Sequence, residues 1–463
     1  MSPEHVTAPR RRLLGLATAL AVVLWLAVAL ANAQSAWACP VSGMTSTSQP
    51  ACWTPFVATA PFNTPIPADP ALSSDSASVV SRIVSTPWPL DGGTTSFLFS
   101  PAFYGTRPVF FATPSDPVMT IKCKNDSGEG SCTGANGVNT DGAKINVPAG
   151  ATPYDNSDAH MTVIETATGN EYDMWDASVS GSTIYAGNAA EVNVNSSNGL
   201  GSQGDAAAFG LSAGLVRPSE LAAGQINHAL VVTVPCVDGS GSSGYTWPAE
   251  SGWGAACGAN GSSANYGAPA LGALLRLNMT AAQIQASGAP SWQQTIMTAL
   301  ADYGAYVEDT DGSTAEGIDI ITQSSSSWTD LGDPDQWTQV AQQFGFSSPS
   351  FTSSIPIPTG DLEVVNPCVP EGTCPPAPSA TVVSGGGSPP TTGGSTPVQS
   401  PPVASAPSKP AGKHGKKHDT RKRAKRKAHK HKHKHHKRHR RGKHHKHHKH
   451  HKHHKHHKHH KHG

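Results

Sequence analysis

Residues 160–176 read HMTVIETATGNEYDMWD, and the fold is decided there. Apolar and polar side chains alternate through 160–165 and again through 171–176, the period of two that a strand imposes. Between them, 166–170 carries Thr-Gly-Asn turn chemistry. The expectation is a β-hairpin with one face buried. Working outward, residues 225–235 (QINHALVVTVP), 96–99, 118–123, 144–147 and 271–277 give the same signal, separated at short intervals by Gly, Asn, Ser and Pro. That spacing predicts a mainly β domain of the β-sandwich or jelly-roll kind rather than strand–helix alternation.

A few short helices interrupt it. Ser291 and Gln294 would form a capping box, after which Trp292, Ile296, Met297, Leu300 and Tyr303 recur at helical spacing before Gly304. Residues 335–344, ended by Gly345, read as a second helix, and 218–223, ended by Gly224, as a single turn.

The termini differ in kind. Arg10, Arg11 and Arg12 precede an uncharged run from 13 to 33 and two small-residue cleavage patterns ending at Ala33 and Ala38. This reads as an export signal over 1–38, with a retained membrane anchor as the alternative. The domain then spans 39–374. Residues 375–412 are a linker rich in Pro, Ser, Thr and Gly, and 413–463 form a tail in which Lys-His-His repeats. With no apolar side chain in the repeat from Lys443 to Lys461 to repay ordering, the tail is expected to be disordered.

All eight cysteines follow the signal. In an oxidising compartment they are expected to pair in sequence order, Cys39 with Cys52, Cys123 with Cys132, Cys236 with Cys257 and Cys368 with Cys374, although sequence alone leaves other connectivities open. A zinc site is the lesser reading, because no C-x-x-C occurs.

The net charge of +2 conceals two opposed polyelectrolytes. Residues 39–374 hold 30 Asp and Glu against seven Lys and Arg, whereas 409–463 hold 24 Lys and Arg against one Asp. The domain should repel polyanions, and the tail should seek them or fold back on its own domain. The tail partners expected are an anionic cell-envelope polymer or extracellular nucleic acid. Its imidazoles, among them His444, His445, His447, His448, His450 and His451, could also capture Zn, Ni or Cu.

Within the domain histidine is scarce: only His160 and His228 occur. A neutral imidazole beside a carboxylate can act as general acid or base, or ligate a metal. Asp158 and His160, two apart, would face one side of a strand. His160, His228, Asp158 and Asp176 are therefore the candidate catalytic set, and Asp205, Arg217, Glu220 and Asn227 the candidate substrate-binding set. A half-buried histidine satisfied by hydrogen bonds is the competing reading for both. The run of Glu308, Asp309, Thr310, Asp311 and Gly312 only loosely follows a calcium loop and reads better as a solvated turn. No G-x-S-x-G, H-E-x-x-H, P-loop or dinucleotide fingerprint is present, which leaves serine hydrolases, zincins and nucleotide enzymes with little support.

From about 148 to about 366 the chain resembles a group of secreted bacterial proteins common in soil lineages. The resemblance is carried by Asp158 and His160; Tyr172 with Asp176-Ala177; Asp205-Ala206-Ala207; Gly214-Leu215-Val216-Arg217 through Glu220, Gly224, Ile226 and Asn227-His228-Ala229-Leu230; and 296–300 through Tyr303-Gly304. It departs where relatives often have a Pro-Ala-Arg-His-like segment and this chain has Trp247-Pro248-Ala249-Glu250. The resemblance implies no particular reaction. Two functions remain in view beside a non-catalytic scaffold. One is a secreted or surface binding protein held by its tail; the other is a carbohydrate-active enzyme, a polysaccharide lyase or hydrolase, built around the two histidines.

Overall fold

The computed structural model describes residues 39–83, 90–91, 94–101, 105–124, 131–239, 244–254, 256–257, 267–310 and 318–374. Residues 1–38 and 375–463, including the six tail histidines named above, lie outside the described residues. The domain is mainly β with a few short helices, as expected. Among the described residues no helix is long and apolar enough to cross a membrane.

Three sheets make the architecture. The largest runs in the order Leu90–Asp91, Thr94–Phe99, Ile318–Ile320, Leu230–Val234, Ala305–Thr310, Leu274–Leu277 and Leu362–Val365, with Ser353–Pro358 also paired to Thr94–Phe99. It is mixed: Leu230–Val234 lies parallel to Ala305–Thr310, and Ile318–Ile320 parallel to Thr94–Phe99. The other two sheets have four strands each. One runs Asn188–Asn193, Asn170–Trp175, Met161–Glu165, Val109–Ala112, and the other Lys144–Asn146, Val118–Cys123, Thr183–Ala186, Ser178–Ser180. These two form the sandwich part of the fold, closed on a core of Phe110, Met119, Ile121, Ile145, Met161, Val163, Met174 and Ile184.

The hairpin forms in the expected place, with Met161–Glu165 antiparallel to Asn170–Trp175. Both of its faces are buried, however, which corrects the expectation of one wet face. Met161, Val163 and Met174 enter the small core, while Ile164 on the opposite face joins the large one. The hairpin belongs to a middle layer, and its polar side chains are enclosed along with its apolar ones. Glu171 and Asp173 are fully buried and grip the segment that crosses them. Asp173 accepts from Ser202 Oγ at 2.9 Å and from the Leu211 amide at 3.1 Å. Glu171 accepts from the Ser212 amide at 3.0 Å and from its hydroxyl. Each buried carboxylate thereby replaces water with donors, the condition under which such burial is tolerable. Gly204 packs so closely on Asp173 and Leu211 that a Cβ there would meet both at under 3 Å.

Helix ends follow local chemistry. Pro218–Ala223 stops at Gly224, which takes a left-handed φ of 71°. The helix Ser291–Asp302 starts differently from the capping-box reading: Pro290 is the cap, and Gln294 donates to the Ala289 carbonyl. Ser291 is already helical, because Pro290 in extended conformation starts the turn one residue earlier. A capping box does form one helix before, between Thr280 and Gln283 of Ala281–Ala286. Trp292, Ile296, Met297 and Leu300 are core, and Trp292 meets Phe344 and Phe351. Trp337–Gln343 supplies the remaining expected helix. All four disulfides join neighbouring cysteines in sequence order. That pairing fits an oxidising, extracytoplasmic compartment.

Candidate functional site

One end of the middle sheet meets the C-terminal end of strand Ala305–Thr310, and a cleft of about 230 Å³ opens there. Asp158 precedes Met161–Glu165, Trp175 ends its partner strand, and Asn188 begins Asn188–Asn193. Gln203, Gly204, Asp205 and Ala206 come from the crossing segment, Trp253 from a loop, and Asp309 and Thr310 from the large sheet. Two backbone bonds hold the Trp253 loop in place, Glu250 N to Ala207 O at 3.0 Å and Trp253 N to Ala206 O at 3.4 Å. The Trp247–Glu250 segment is thereby tied, through Glu250, to the stretch of chain that carries Asp205 and Ala206. Trp253 itself is 72% exposed, an unusual position for so large an apolar ring.

A β-bulge builds the floor. Along Leu230–Val234 the register steps from Val232 opposite Val307 to Thr233 opposite Asp309, which leaves Glu308 as the extra, unpaired residue. Its side chain is sealed, at 1% exposure, against Arg107, whose Nη2 donates to Glu308 Oε1 at 3.1 Å. The solvated-turn expectation fails here for this reason: strand pairing and the bulge carry Glu308 inward to a guanidinium 201 positions earlier in the chain. Residues 311–312 of that run lie outside the described residues.

Burial, opposed by Arg107, pushes the Glu308 carboxyl up to about 7. Asp205 is raised well above the ordinary carboxylate range by burial and by the Glu308 charge. The two side chains lie within hydrogen-bonding reach of each other. Asp205 Oδ1 accepts from the Phe209 amide at 2.9 Å, and its Oδ2 is shielded without a hydrogen-bond partner. A proton held by either carboxyl joins the pair, so together they store a proton near neutral pH. Asp309 is pushed to about 6, mainly by burial and against the pull of Arg107. Its carboxylate accepts from the amides of Thr310, at 2.7 Å, and Ala206.

His160 lies behind the wall. Its ring is 1% exposed and donates to the Gly204 carbonyl, next to Asp205, while Nδ1 has no partner. Burial and the Arg107 charge lower its pKa well below the usual value, which fixes the neutral ring. Asp158 and His160 do not share a strand face. Ala159 between them is left-handed, with φ of 45°, so Asp158 turns to the cleft and His160 to the interior. Asp176 and Ala208, at φ of 48° and 64°, are two more of the four left-handed non-glycine residues described, and Asp176 directly follows Trp175 of the cleft lining. Backbone strain of this kind tends to collect at functional sites. Asp176 binds Lys124 Nζ at 3.0 Å, and its amide donates to Asp158 O.

The remaining sequence candidates lie elsewhere. His228 Nδ1 contacts the Ala229 carbonyl and Nε2 contacts Glu220 Oε1, both at 2.8 Å, with the ring 1% exposed. Arg217 pairs with Glu220 at 2.5 Å, donates to Trp53 O and lies 4.9 Å from the Trp53 ring centroid. This buried triad ties the helix Pro218–Ala223 to the N-terminal segment, and none of its members lines the Asp205 cleft. His160 and His228 share no hydrogen-bond partner. Asn227 lines a different cavity, of about 540 Å³, with the Cys39–Cys52 disulfide, Trp53 and Tyr303.

Thus Asp158, His160 and Asp205 come together, with Asp176 beside them, and Arg217, Glu220, Asn227 and His228 do not join them. Sequence reading missed Arg107, Glu308, Asp309, Trp175 and Trp253 as site residues. Among the described residues no three His, Cys, Asp or Glu side chains converge as a metal site. The chain matches no protein-family model, no curated protein and no solved structure.

Proposed function

We propose that the domain is a glycan hydrolase working in this cleft. The observation that carries the reading is the Asp205–Glu308 carboxyl pair, whose Asp205 member lines a polar cleft together with Trp175 and Trp253. Indole faces cover the apolar faces of sugar rings, and the amides of Asn188 and Gln203 suit hydroxyl groups. Hydrolysis of a glycosidic bond needs one carboxylic acid and one carboxylate. Asp205, whose carboxyl burial and the Glu308 charge hold well above the ordinary carboxylate range, donates to the leaving oxygen as the bond from the anomeric carbon breaks. Asp309, ionised above about pH 6, takes a proton from the water that attacks that carbon. Glu308, with Arg107 behind it, keeps the proton on Asp205, and His160 positions Asp205 through Gly204. Elimination by a lyase is less well supported. It acts on uronates, whose carboxylates need a cation, and the cleft wall offers carboxylates instead.

The test is release of reducing ends from a panel of neutral and amino-bearing polysaccharides. Asp205→Asn should lower the rate by roughly 100-fold or more with an unchanged melting temperature. Release that survives this substitution, or none from the wild-type protein on any glycan, rules the reading out.

The charge split supports a second, compatible role for the tail. Its 24 Lys and Arg against one Asp would hold a secreted domain to anionic envelope polymer or extracellular nucleic acid, with metal capture by the histidines as a further capacity. Retention on such a polymer should then fall steeply with salt. Retention indifferent to salt contradicts it.

A further inference from the structure

The cleft presents two carboxylates, Asp158 and Asp309, together with the carboxyl of Asp205, and among the described residues no basic side chain lines it. Of the seven Lys and Arg in 39–374, Arg107 is sealed behind the floor and ion-paired, and Lys124 is paired to Asp176. The sequence neighbours 311–317 and 258–266 contain no Lys, Arg or His. The Asp205 Oδ2 atom is buried at this wall without a hydrogen-bond partner, a polar atom that a ligand would satisfy. The wider field points the same way, since 39–374 carries 30 acidic against seven basic side chains. Such a cleft concentrates cations and excludes anions. An inorganic cation fits poorly, because among the described residues no three ligating side chains converge tightly enough to hold a metal ion. An ammonium group needs no such convergence. It can bond one or two carboxylates while the ring that bears it lies on an indole.

We infer that the cleft selects a glycan carrying free amino groups, a polymer of hexosamine rather than of neutral or acidic sugar. The inference rests on the glycan reading above and sharpens its substrate class. Asp158 is the selecting residue: it lines the cleft half-buried and within the field of Asp309, where an ammonium would meet its charge. Asp205 and Asp309 then remain available for the bond to be broken.

The experiment compares β-linked hexamers of glucosamine, N-acetylglucosamine and glucose, each titrated calorimetrically into the folded protein at low salt and assayed for cleavage. The glucosamine hexamer should bind at least tenfold more tightly than either neutral hexamer. Asp158→Asn should bring that ratio below about threefold, and added salt should shrink it as well. A purely structural role for Asp158 would weaken all three ligands alike and leave the ratio intact, which overturns its assignment. Equal or weaker binding of glucosamine, with neutral hexamers still cleaved, overturns the amino-sugar inference and leaves the hydrolase reading standing. Failure of all three hexamers to bind removes both. Oligolysine binding as tightly as the glucosamine hexamer while neutral sugars fail would assign the cleft to basic peptides and overturn the proposal.

Discussion

Arg107 and Glu308 meet at 3.1 Å because a β-bulge takes Glu308 out of the alternation of its strand and turns it toward a guanidinium held by the backbone of 322–324. Both side chains are sealed from solvent, so each is the other's replacement for water. The bulge also leaves Glu308 and Asp309, adjacent in sequence, both within the field of Arg107.

Arg107→Ala should leave Glu308 buried without a counter-charge and destabilise the domain by roughly 3–5 kcal/mol. Replacing the pair together, Arg107→Met with Glu308→Leu, should recover most of that loss. Urea unfolding of the three variants measures both quantities. A single substitution costing less than about 1 kcal/mol would contradict a sealed pair.

Stability should fall as pH rises from about 4 to about 7. The folded pKa values of Asp173, at about 6, of Asp309, at about 6, and of Glu308, at about 7, lie above their unfolded values, and Glu171 and Asp205 are raised likewise. The native state therefore holds more protons than the unfolded chain in this window, and removing them costs stability. His160 acts in the opposite sense. Its lowered pKa makes the folded state lose stability as pH drops below about 6.5, but the raised carboxyls outnumber it. Melting followed by circular dichroism should give a midpoint roughly 5 °C or more higher at pH 5 than at pH 8, and Asp173→Asn should narrow the gap.

Glu220→Gln should loosen the Arg217–Glu220–His228 triad, cost on the order of 2–4 kcal/mol and leave glycan affinity per folded molecule unchanged. Its pKa is lowered by Arg217 and His228 against the opposing effect of burial, so this contribution is lost as pH falls below the usual glutamate range. Calorimetric titration at a temperature where the variant remains folded separates the two effects. A selective loss of affinity would return His228 to the site.

The disulfide Cys236–Cys257 closes a loop of sequence separation 21 that contains Trp253. Replacing both cysteines with serine should cost roughly 3 kcal/mol. It should also weaken glycan binding beyond that, through Trp253. Trp253→Ala in the bridged protein should reproduce the binding loss, about 1 kcal/mol or more, without the loss of stability, because the ring is exposed.

Local chemistry made much of the fold legible. The turn at Gly224, the strand 118–123, the hairpin around Gly169 and all four cysteine pairs depend on neighbours within a couple of dozen residues. What sequence could not show was which layer the hairpin occupies. Alternating Glu171, Tyr172 and Asp173 looked like a wet face because nothing nearby announces that Ser202, Leu211 and Ser212 will cross it. The site was legible only in part for the same reason. Asp158, His160 and Asp205 stood out by motif, but Arg107 and Glu308 reach each other only through pairing of distant strands, and the bulge that aims Glu308 has no local signature. The scarcity of histidine suggested one site for two rings, whereas packing puts His228 in a structural triad.

The central claim is that Asp205 and Glu308 hold a proton between them close to neutral pH. Titration of the side-chain carboxyl carbons by nuclear magnetic resonance, with Asp205→Asn and Glu308→Gln for assignment, tests it without knowledge of the substrate. The account predicts that at pH 6 one carboxyl of the pair is still protonated, and that Glu308→Gln lowers the Asp205 midpoint by removing its neighbour's charge. Two carboxylates both fully ionised by pH 5 would contradict it.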